Sequence, residues 1–222
     1  MNFLKSISDY DTLVFDCDGV ILNSNRVKTE AFYVAALAYG EAAANALKNY
    51  HVLNGGISRY KKFHYFLQEI VPKYAPSIEG PNYETLLEVF SKYVHESLLR
   101  CEVAEGLREL REITSNTNWL IVSGGDQVEL NEIFSLRGLD TMFDGGIFGS
   151  PDTKELILAR EYAKGNIGHR ALFLGDSKYD YEAAKSGNLD FIFLYKWTEF
   201  VDYKHFFIDK PVITHKDIQS LL

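Results

Sequence analysis

The sequence predicts an α/β protein in which helices flank a parallel sheet and a small all-helical module is inserted after the first strand. The first observation is a series of short, almost continuous apolar runs, a pattern typical of strands buried on both faces. These runs occupy 12–16, 119–122, 171–174 and 191–195. The second observation is that helical segments lie between the later runs, which favours a parallel arrangement.

The inserted module is indicated by three apolar stripes at helical spacing between the first two strands. The first stripe covers 27–38, and Gly40 can end its helix. The second covers 60–70 and is predicted to end at Pro72, and the third covers 86–94. Because this segment contains no convincing strand, we expect helices only. A further helix beginning near residue 103 leads back into the sheet.

The composition narrows the classes of function. The 222 residues suffice for one domain with an inserted module, and 31 acidic against 23 basic residues give a formal charge of −8. This charge works against binding to nucleic acid or an anionic membrane. Cys17 and Cys101 are too few for a disulfide framework or zinc site, and no apolar run could span a bilayer. We expect a cytoplasmic protein that binds neither nucleic acid nor a membrane, and the sequence leaves its oligomeric state open.

The first strand ends in two carboxylates, Asp16 and Asp18, separated by Cys17 and followed by Gly19. On an extended chain, side chains two residues apart project the same way. One carboxylate could attack an electrophile while the other moves a proton. The alternative interpretation is an ordinary acidic strand end exposed to solvent.

Two later segments carry groups suited to an anion. Ser123, Gly124 and Gly125 follow the second strand, and glycines there let backbone N–H groups approach an anion closely. Lys154 falls in the first turn of a predicted helix, where a positive charge opposes the helix dipole. An ordinary strand-to-helix turn and a surface lysine are the alternatives.

The last segment brings two more acids. Asp176 follows the third apolar run, and Asp180 lies about one helical turn later. Oxygen ligands of this kind suit Mg²⁺, whereas the alternative is a helix N-cap with an acid in the first turn. No single segment decides the function. All four lie in order after strands of one parallel sheet, where ligands bind.

With these four motifs in this order, the chain resembles the haloacid dehalogenase superfamily of phosphotransferases. The resemblance covers essentially the whole chain. It implies a Rossmann-like catalytic core formed by residues 1–21 and 97–222, and a small helical cap, residues 22–96, of the phosphoglucomutase/phosphatase type.

The resemblance also implies a mechanism. Asp16 would attack a phosphomonoester and form an aspartyl-phosphate, while Asp18 would protonate the leaving alcohol and then deprotonate water. Mg²⁺ would be held by the Asp16 carboxylate, the Asp18 carbonyl and Asp176, with support from Asp180. The transferring phosphoryl oxygens would be bound by Ser123, the Gly124 N–H and Lys154.

Two residues of the cap region are candidates for substrate binding. The loop that ends in Arg59 resembles the cap loop of sugar-phosphate mutases, whose arginine reaches an anionic group of the substrate. Lys28 stands where many relatives have a histidine, which weighs against a mutase and makes Lys28 a second candidate. For both residues the alternative is a side chain on the protein surface.

The leading hypothesis is a magnesium-dependent phosphatase for a small phosphorylated metabolite, with sugar phosphates as the favoured class. The acid at Asp18 speaks against the dehalogenase and phosphonatase branches of the superfamily. A sugar phosphomutase is one alternative. A phospho-accepting receiver-like signalling module is another, although the long helical insertion counts against it.

Overall fold

A computed structural model of the protein describes residues 6–222, and within them the chain forms a six-stranded parallel sheet. The strands are β1 (Thr12–Phe15), β2 (Asn118–Asp126), β3 (Gly146–Ser150), β4 (Ala171–Gly175), β5 (Asp190–Leu194) and β6 (Ile213–His215). Their order is β3-β2-β1-β4-β5-β6, and every neighbouring pair is parallel. The predicted Rossmann-like α/β fold is confirmed. The direction of winding reverses at β1 and β4, whose carboxyl ends therefore border the crevice in which such sheets bind ligands.

Helices cover the sheet and fill the insertion. They are α1 (Asn25–Ala36), α2 (Glu41–Leu53), α3 (Arg59–Tyr65), α4 (Val71–Tyr74), α5 (Tyr83–Arg100), α6 (Leu107–Ile113), α7 (Gln127–Leu136), α8 (Lys154–Ala163), α9 (Lys178–Ser186) and α10 (Tyr203–Phe206). Between β1 and α6 the described chain is helical apart from loops and isolated bridges, as the apolar stripes predict. No described helix combines the length and apolar character needed to cross a membrane.

The sequence patterns missed two strands, β3 and β6. The apolar part of β3 is only Ile147 and Phe148, enclosed by glycines, and β6 has three residues with two of them exposed. Neither offers the continuous apolar run that marked the other four strands. Both owe their extended conformation to pairing with a neighbour, β2 and β5 respectively, which is a tertiary effect.

The predicted end of the second cap helix at Pro72 is wrong. A single π-helical turn, Phe66–Ile70, continues α3 into α4, so the helical run extends to Tyr74. Pro72 lies just after this π-helical turn, and the chain stays helical through it. The third stripe also forms a longer helix than predicted, because α5 reaches Arg100. The division of the chain into core and cap at residues 22 and 96 stays a prediction.

Aromatic side chains fill the part of the core that lies against β1 and β2. Trp119 of β2 is fully buried, with its ring centroid 4.6 Å from that of Phe15 and 5.8 Å from that of Phe143. Its indole Nε1 donates a hydrogen bond to Thr114 Oγ1 at 3.1 Å. Packing of this kind fixes β1 against β2 and thus the position of the residue that follows β1.

Replacement of Trp119 tests this packing. Trp119→Ala should lower the free energy of unfolding by about 3–5 kcal/mol, because it leaves a cavity beside Phe15 and removes the partner of Thr114. Urea denaturation measures the change. Leu136→Ala on α7, where the side chain is 64% exposed, is the control and should stay within about 0.5 kcal/mol of wild type. Equal losses in both variants would contradict the assigned packing.

Candidate active site

At the carboxyl edge of the sheet, the segments that follow β1, β3 and β4 bring a buried lysine between two buried aspartates. Asp16 follows β1 directly, and Lys154 is the first residue of α8, after β3. Lys154 Nζ lies 2.8 Å from Asp16 Oδ1 and 2.5 Å from Asp180 Oδ1. Burial acts to lower the pKa of Lys154, but the two carboxylates raise it above its usual value. Lys154 therefore stays protonated, and its burial shows that the alternative of a surface lysine is wrong.

The two carboxylate oxygens of Asp16 differ in their contacts. Oδ1 accepts hydrogen bonds from Lys154 and from the backbone N–H of Cys17 at 2.8 Å. No hydrogen bond within residues 6–222 reaches Oδ2 of Asp16. Burial raises the pKa of Asp16 to about 7, despite the opposing effect of Lys154.

Asp180 is held by four donors. Its Oδ1 accepts from Lys154, and its Oδ2 accepts from the backbone N–H groups of Asp176 and Ser177, at 3.1 and 2.9 Å, and from Ser177 Oγ at 2.7 Å. Ser177 and Asp180 form a capping box at the start of α9. Asp180 is therefore a first-turn acid of α9, as the alternative interpretation has it, and it also contacts Lys154.

Asp176 lies beside Asp16 and is itself oriented from the cap region. Its Oδ2 accepts a hydrogen bond from Asn25 Nδ2 at 2.7 Å, and its carbonyl oxygen accepts one from Thr198 Oγ1 at 2.5 Å. Burial, with Asp180 and Asp16 nearby, raises the pKa of Asp176 well above its usual value. A Cβ at Gly19, where φ is +76°, would stand 2.1 Å from Asp176 Oδ2, so this turn requires glycine.

The three acids fit a divalent cation. One carboxylate oxygen from each of Asp16, Asp176 and Asp180 lies within 4.8 Å of the others. Burial raises the pKa values of Asp16 and Asp176, and the neighbouring carboxylates raise them further, so a cation bound here would stabilise their charged forms. Hard oxygen donors suit Mg²⁺. Because protein donors already engage both oxygens of Asp180, Asp16 and Asp176 are the better candidates for direct ligands.

Asp18 is paired with a lysine of α1. Its Oδ2 lies 2.5 Å from Lys28 Nζ, and its Oδ1 accepts from Ser24 Oγ at 2.6 Å. Burial acts to raise the pKa of Asp18, but Lys28 and Ser24 more than compensate, so the pKa falls below its usual value. Asp18 is thus ionised in this structure. Lys28 is buried, so the surface alternative is wrong, and its nearest partner is Asp18.

Ser123 and Gly124 lie within β2 at the same edge of the sheet. Ser123 is fully buried, and its Oγ accepts a hydrogen bond from the Gly125 N–H at 3.0 Å. A Cβ at Gly124 would stand 1.9 Å from the carbonyl oxygen of Gly56. Glycine is required here because the backbone of the cap loop touches the strand. The strand therefore continues through these residues instead of turning after Val122.

Arg59 is buried, and the surface alternative for it is also wrong. Its Nη1 and Nη2 donate to the two carboxylate oxygens of Glu129 at 3.0 and 2.5 Å, and Nη1 also donates to Ser91 Oγ at 2.8 Å. This fork joins α3 to α7. Next to it, Tyr60 donates its hydroxyl proton to Asp126 at 2.6 Å. Arg59 borders the cavity described below, but its charge is matched by Glu129.

A cavity of about 200 Å³ separates the strand ends from the helices of the insertion. Asp16, Asp18, Gly124 and Asp176 border it on the sheet side. The opposite wall contains the residues Lys28, Phe32, His51, Arg59, Lys62 and Phe90. A cavity this small favours a small substrate over a macromolecule.

Several residues of this site are not predicted by the sequence patterns. Asn25, Thr198, His51 and Lys62 all border the cavity. The spacing of the histidines favours a packing or surface position for His51, and the patterns give the other three no role. Asn25, His51 and Lys62 lie on helices of the insertion and belong to no motif, so only the folded chain shows where they act. Thr198 lies in the loop after β5, and its position after a strand is a signal that could have indicated it.

Comparison with known proteins gives a consistent result. A family model described as haloacid dehalogenase-like hydrolase matches residues 10–188. No curated protein sequence matches the chain. Among solved structures, the chain is similar to a predicted phosphoglycolate phosphatase from Haemophilus somnus 129pt, with 17% identity, 96% coverage of each chain and a TM-score of 0.70. It is also similar to CbbY from Rhodobacter sphaeroides in complex with phosphate, with 14% identity, 96% coverage of each chain and a TM-score of 0.70. Identities this low show a shared fold.

The Arg59–Glu129 pair makes a prediction about stability. Glu129→Leu should lower the free energy of unfolding by about 3–5 kcal/mol, because it leaves a buried guanidinium without its counter-charge. Addition of Arg59→Met should recover much of that loss, since neither charge is then unpaired. Urea denaturation of both single variants and the double variant measures the coupling.

The control for this cycle is the exposed pair Lys48–Glu30, whose charged atoms are 3.6 Å apart. Glu30→Leu should change the free energy of unfolding by less than about 1 kcal/mol. Additive losses from Glu129→Leu and Arg59→Met would show that the fork contributes no coupling between α3 and α7.

Proposed function

Because the chain belongs to the haloacid dehalogenase-like hydrolase family, we propose that it is a magnesium-dependent phosphatase that hydrolyses a small phosphomonoester through an aspartyl-phosphate on Asp16. One observation carries the proposal. Asp16 borders the cavity with one carboxylate oxygen held by Lys154 and Cys17 and the other without a hydrogen bond from the described chain. A carboxylate fixed through one oxygen presents the second to an electrophile.

In the first step, Asp16 Oδ2 attacks the phosphorus atom and the bond from phosphorus to the alcohol oxygen breaks. The leaving oxygen needs a proton, and Asp18 is the acid assigned to give it. Asp18 is ionised in this structure, and Lys28 Nζ, 2.5 Å from it, holds the proton of the pair. Asp18 raises the pKa of Lys28 against the effect of burial, so Lys28 keeps its proton. We assign Lys28 to orient the Asp18 carboxylate, which takes from solvent the proton that it gives to the leaving oxygen.

In the second step, water attacks the phosphorus atom of the aspartyl-phosphate, inorganic phosphate leaves and the Asp16 carboxylate is restored. Asp18 accepts the proton of the attacking water, which replaces the proton that it gave to the leaving alcohol. Lys28 keeps its own proton throughout the cycle. This assignment keeps the two roles that the family resemblance implies for Asp18 and adds a partner for it.

The charge of the transferring phosphoryl group is opposed by groups already in place. Lys154 stays protonated beside Asp16, Gly124 borders the cavity, and the buried Ser123 precedes Gly124 in β2. Asp16, the Asp18 carbonyl and Asp176 would hold Mg²⁺, with Asp180 supporting them from behind. When bound, Mg²⁺ would offset the repulsion between the carboxylate and the phosphate dianion.

Substrate size and class follow from the cavity and the neighbours. A cavity of about 200 Å³ with both basic and aromatic walls suits a small phosphorylated metabolite. Sugar phosphates remain the favoured class from the cap motif, and the name of the Haemophilus somnus protein adds phosphoglycolate to the set worth testing.

The proposal predicts phosphate release from a panel of sugar phosphates, phosphoglycolate and p-nitrophenyl phosphate in the presence of Mg²⁺. Asp16→Asn should lower kcat/KM by about 10⁴-fold or more, because an amide cannot form the aspartyl-phosphate. Asp209→Asn, the same substitution at an exposed position outside the site, should retain activity. Removal of the metal with EDTA should abolish phosphate release, and added Mg²⁺ should restore it.

Equal inactivity of wild type and Asp16→Asn on the whole panel would overturn the proposed function. Isomerisation of a sugar phosphate without net release of phosphate would instead support the phosphomutase alternative. Activity that survives EDTA would contradict the requirement for Mg²⁺ and would leave the role of Asp16 as nucleophile unaffected.

A further inference from the structure

Within the described part of the chain, three buried cations border the cavity on the side of the insertion, and only two of them have a carboxylate partner. Lys28 is paired with Asp18, and Arg59 is paired with Glu129. The third is Lys62 of α3, whose residue surface is 1% exposed. Among residues 6–222, no carboxylate oxygen lies within 4.0 Å of Lys62 Nζ.

The hydrogen-bond partner of Lys62 is a neutral ring. Lys62 Nζ lies 2.7 Å from His51 Nδ1 and 5.4 Å from the ring centroid of Phe32. Burial, together with the charges of Lys62 and Lys28, lowers the pKa of His51 well below its usual value. The imidazole is therefore uncharged and can accept a hydrogen bond at Nδ1 from the lysine, but it cannot balance a positive charge.

Such a lysine is costly for the folded protein. Removing an ammonium group from water without an anionic partner carries a large desolvation penalty. Burial, with the like charge of Lys28 nearby, lowers the pKa of Lys62 to about 7. A methionine of similar length would fill the same space without this penalty. The position of Lys62 in the cavity wall points to a partner that arrives with the substrate.

Resting on the proposed phosphatase function, we propose that Lys62 binds a second anionic group of the substrate, a carboxylate or a second phosphate, while Asp16 receives the first phosphoryl group. Lys62 borders the same cavity as Asp16 and belongs to a helix of the insertion, whereas Asp16 follows a strand. Asp18 and Glu199 act on Lys62 only from beyond 4.0 Å, so an anion placed there would supply the first counter-charge in direct contact and favour the protonated amine. This assigns substrate selection to Lys62 in place of Arg59, whose charge Glu129 already matches.

Binding of unreactive phosphonates tests this assignment without relying on turnover. Three probes share a two-carbon spacer: 3-phosphonopropionate, ethane-1,2-diphosphonate and the uncharged-tail analogue propylphosphonate. Isothermal titration calorimetry in the presence of Mg²⁺ should show that wild type binds at least one of the first two more than about 10-fold more tightly than propylphosphonate. Whichever probe shows the preference identifies the second anion as carboxylate or phosphate.

In Lys62→Met the preference should fall to less than about 3-fold while affinity for propylphosphonate is retained. Lys92→Met, which removes an exposed lysine from α5, should keep the full preference. Lys62→Gln serves as a second neutral variant should the methionine variant fold poorly. Thermal unfolding should show a melting temperature for Lys62→Met at or above that of wild type, since an unpaired buried charge is removed.

The outcomes are distinguishable. A wild type that binds all three phosphonates equally, or a Lys62→Met variant that keeps the preference, would overturn the anion site whatever the enzyme hydrolyses. A variant with a much lower melting temperature and an unchanged preference would show that Lys62 is structural. A preference lost in Lys62→Met, combined with no hydrolysis of any phosphomonoester by wild type, would support the anion site and overturn the proposed function.

Discussion

The site depends on one buried interaction, the contact of Lys154 Nζ with both Asp16 and Asp180. Lys154 begins α8, where the helix dipole disfavours a positive charge, and burial disfavours it further. Only the two carboxylates make the charge stable there. In return, Lys154 occupies one oxygen of Asp16, which decides which oxygen can attack. It also ties α8 to α9, because Asp180 caps the latter helix and binds the backbone that presents Asp176.

The strand order explains why these residues meet. The strands run β3-β2-β1-β4 and are all parallel, so Asp16 after β1, Lys154 after β3 and Asp180 after β4 reach the same edge although they are far apart in the chain. The insertion then closes over that edge. Asn25 reaches Asp176, the carbonyl of Gly56 touches Gly124, and Arg59 joins α7. Each of these contacts crosses from the helical insertion to the sheet side, so the cavity is shaped by both parts of the chain.

The sequence predicted the sheet side of the site well and the opposite wall poorly, for a physical reason. Asp16 and Asp176 follow apolar strands, and the rules of parallel sheets bring such residues to one edge from the order of strands and helices alone. The partners of the cap residues obey no such rule. Glu129 is 70 residues from Arg59, and His51 and Lys62 meet only because α2 packs beside α3. β3 and β6 were missed because neighbouring strands, and not local apolar pattern, hold them extended.

Most of the charged side chains that border the cavity balance one another. On the sheet side, three carboxylates and the Lys154 ammonium leave two negative charges, the amount that one Mg²⁺ ion would offset. Asp18 with Lys28 and Glu129 with Arg59 are pairs without net charge. Lys178 with Glu182 is a further pair, and Glu199, which also borders the cavity, accepts a hydrogen bond from Thr29. Among the described cations that border the cavity, Lys62 therefore carries the one charge without a carboxylate within 4.0 Å. A substrate with one phosphate and a neutral tail would leave that charge buried and unpaired, whereas a substrate with a second anion would neutralise it.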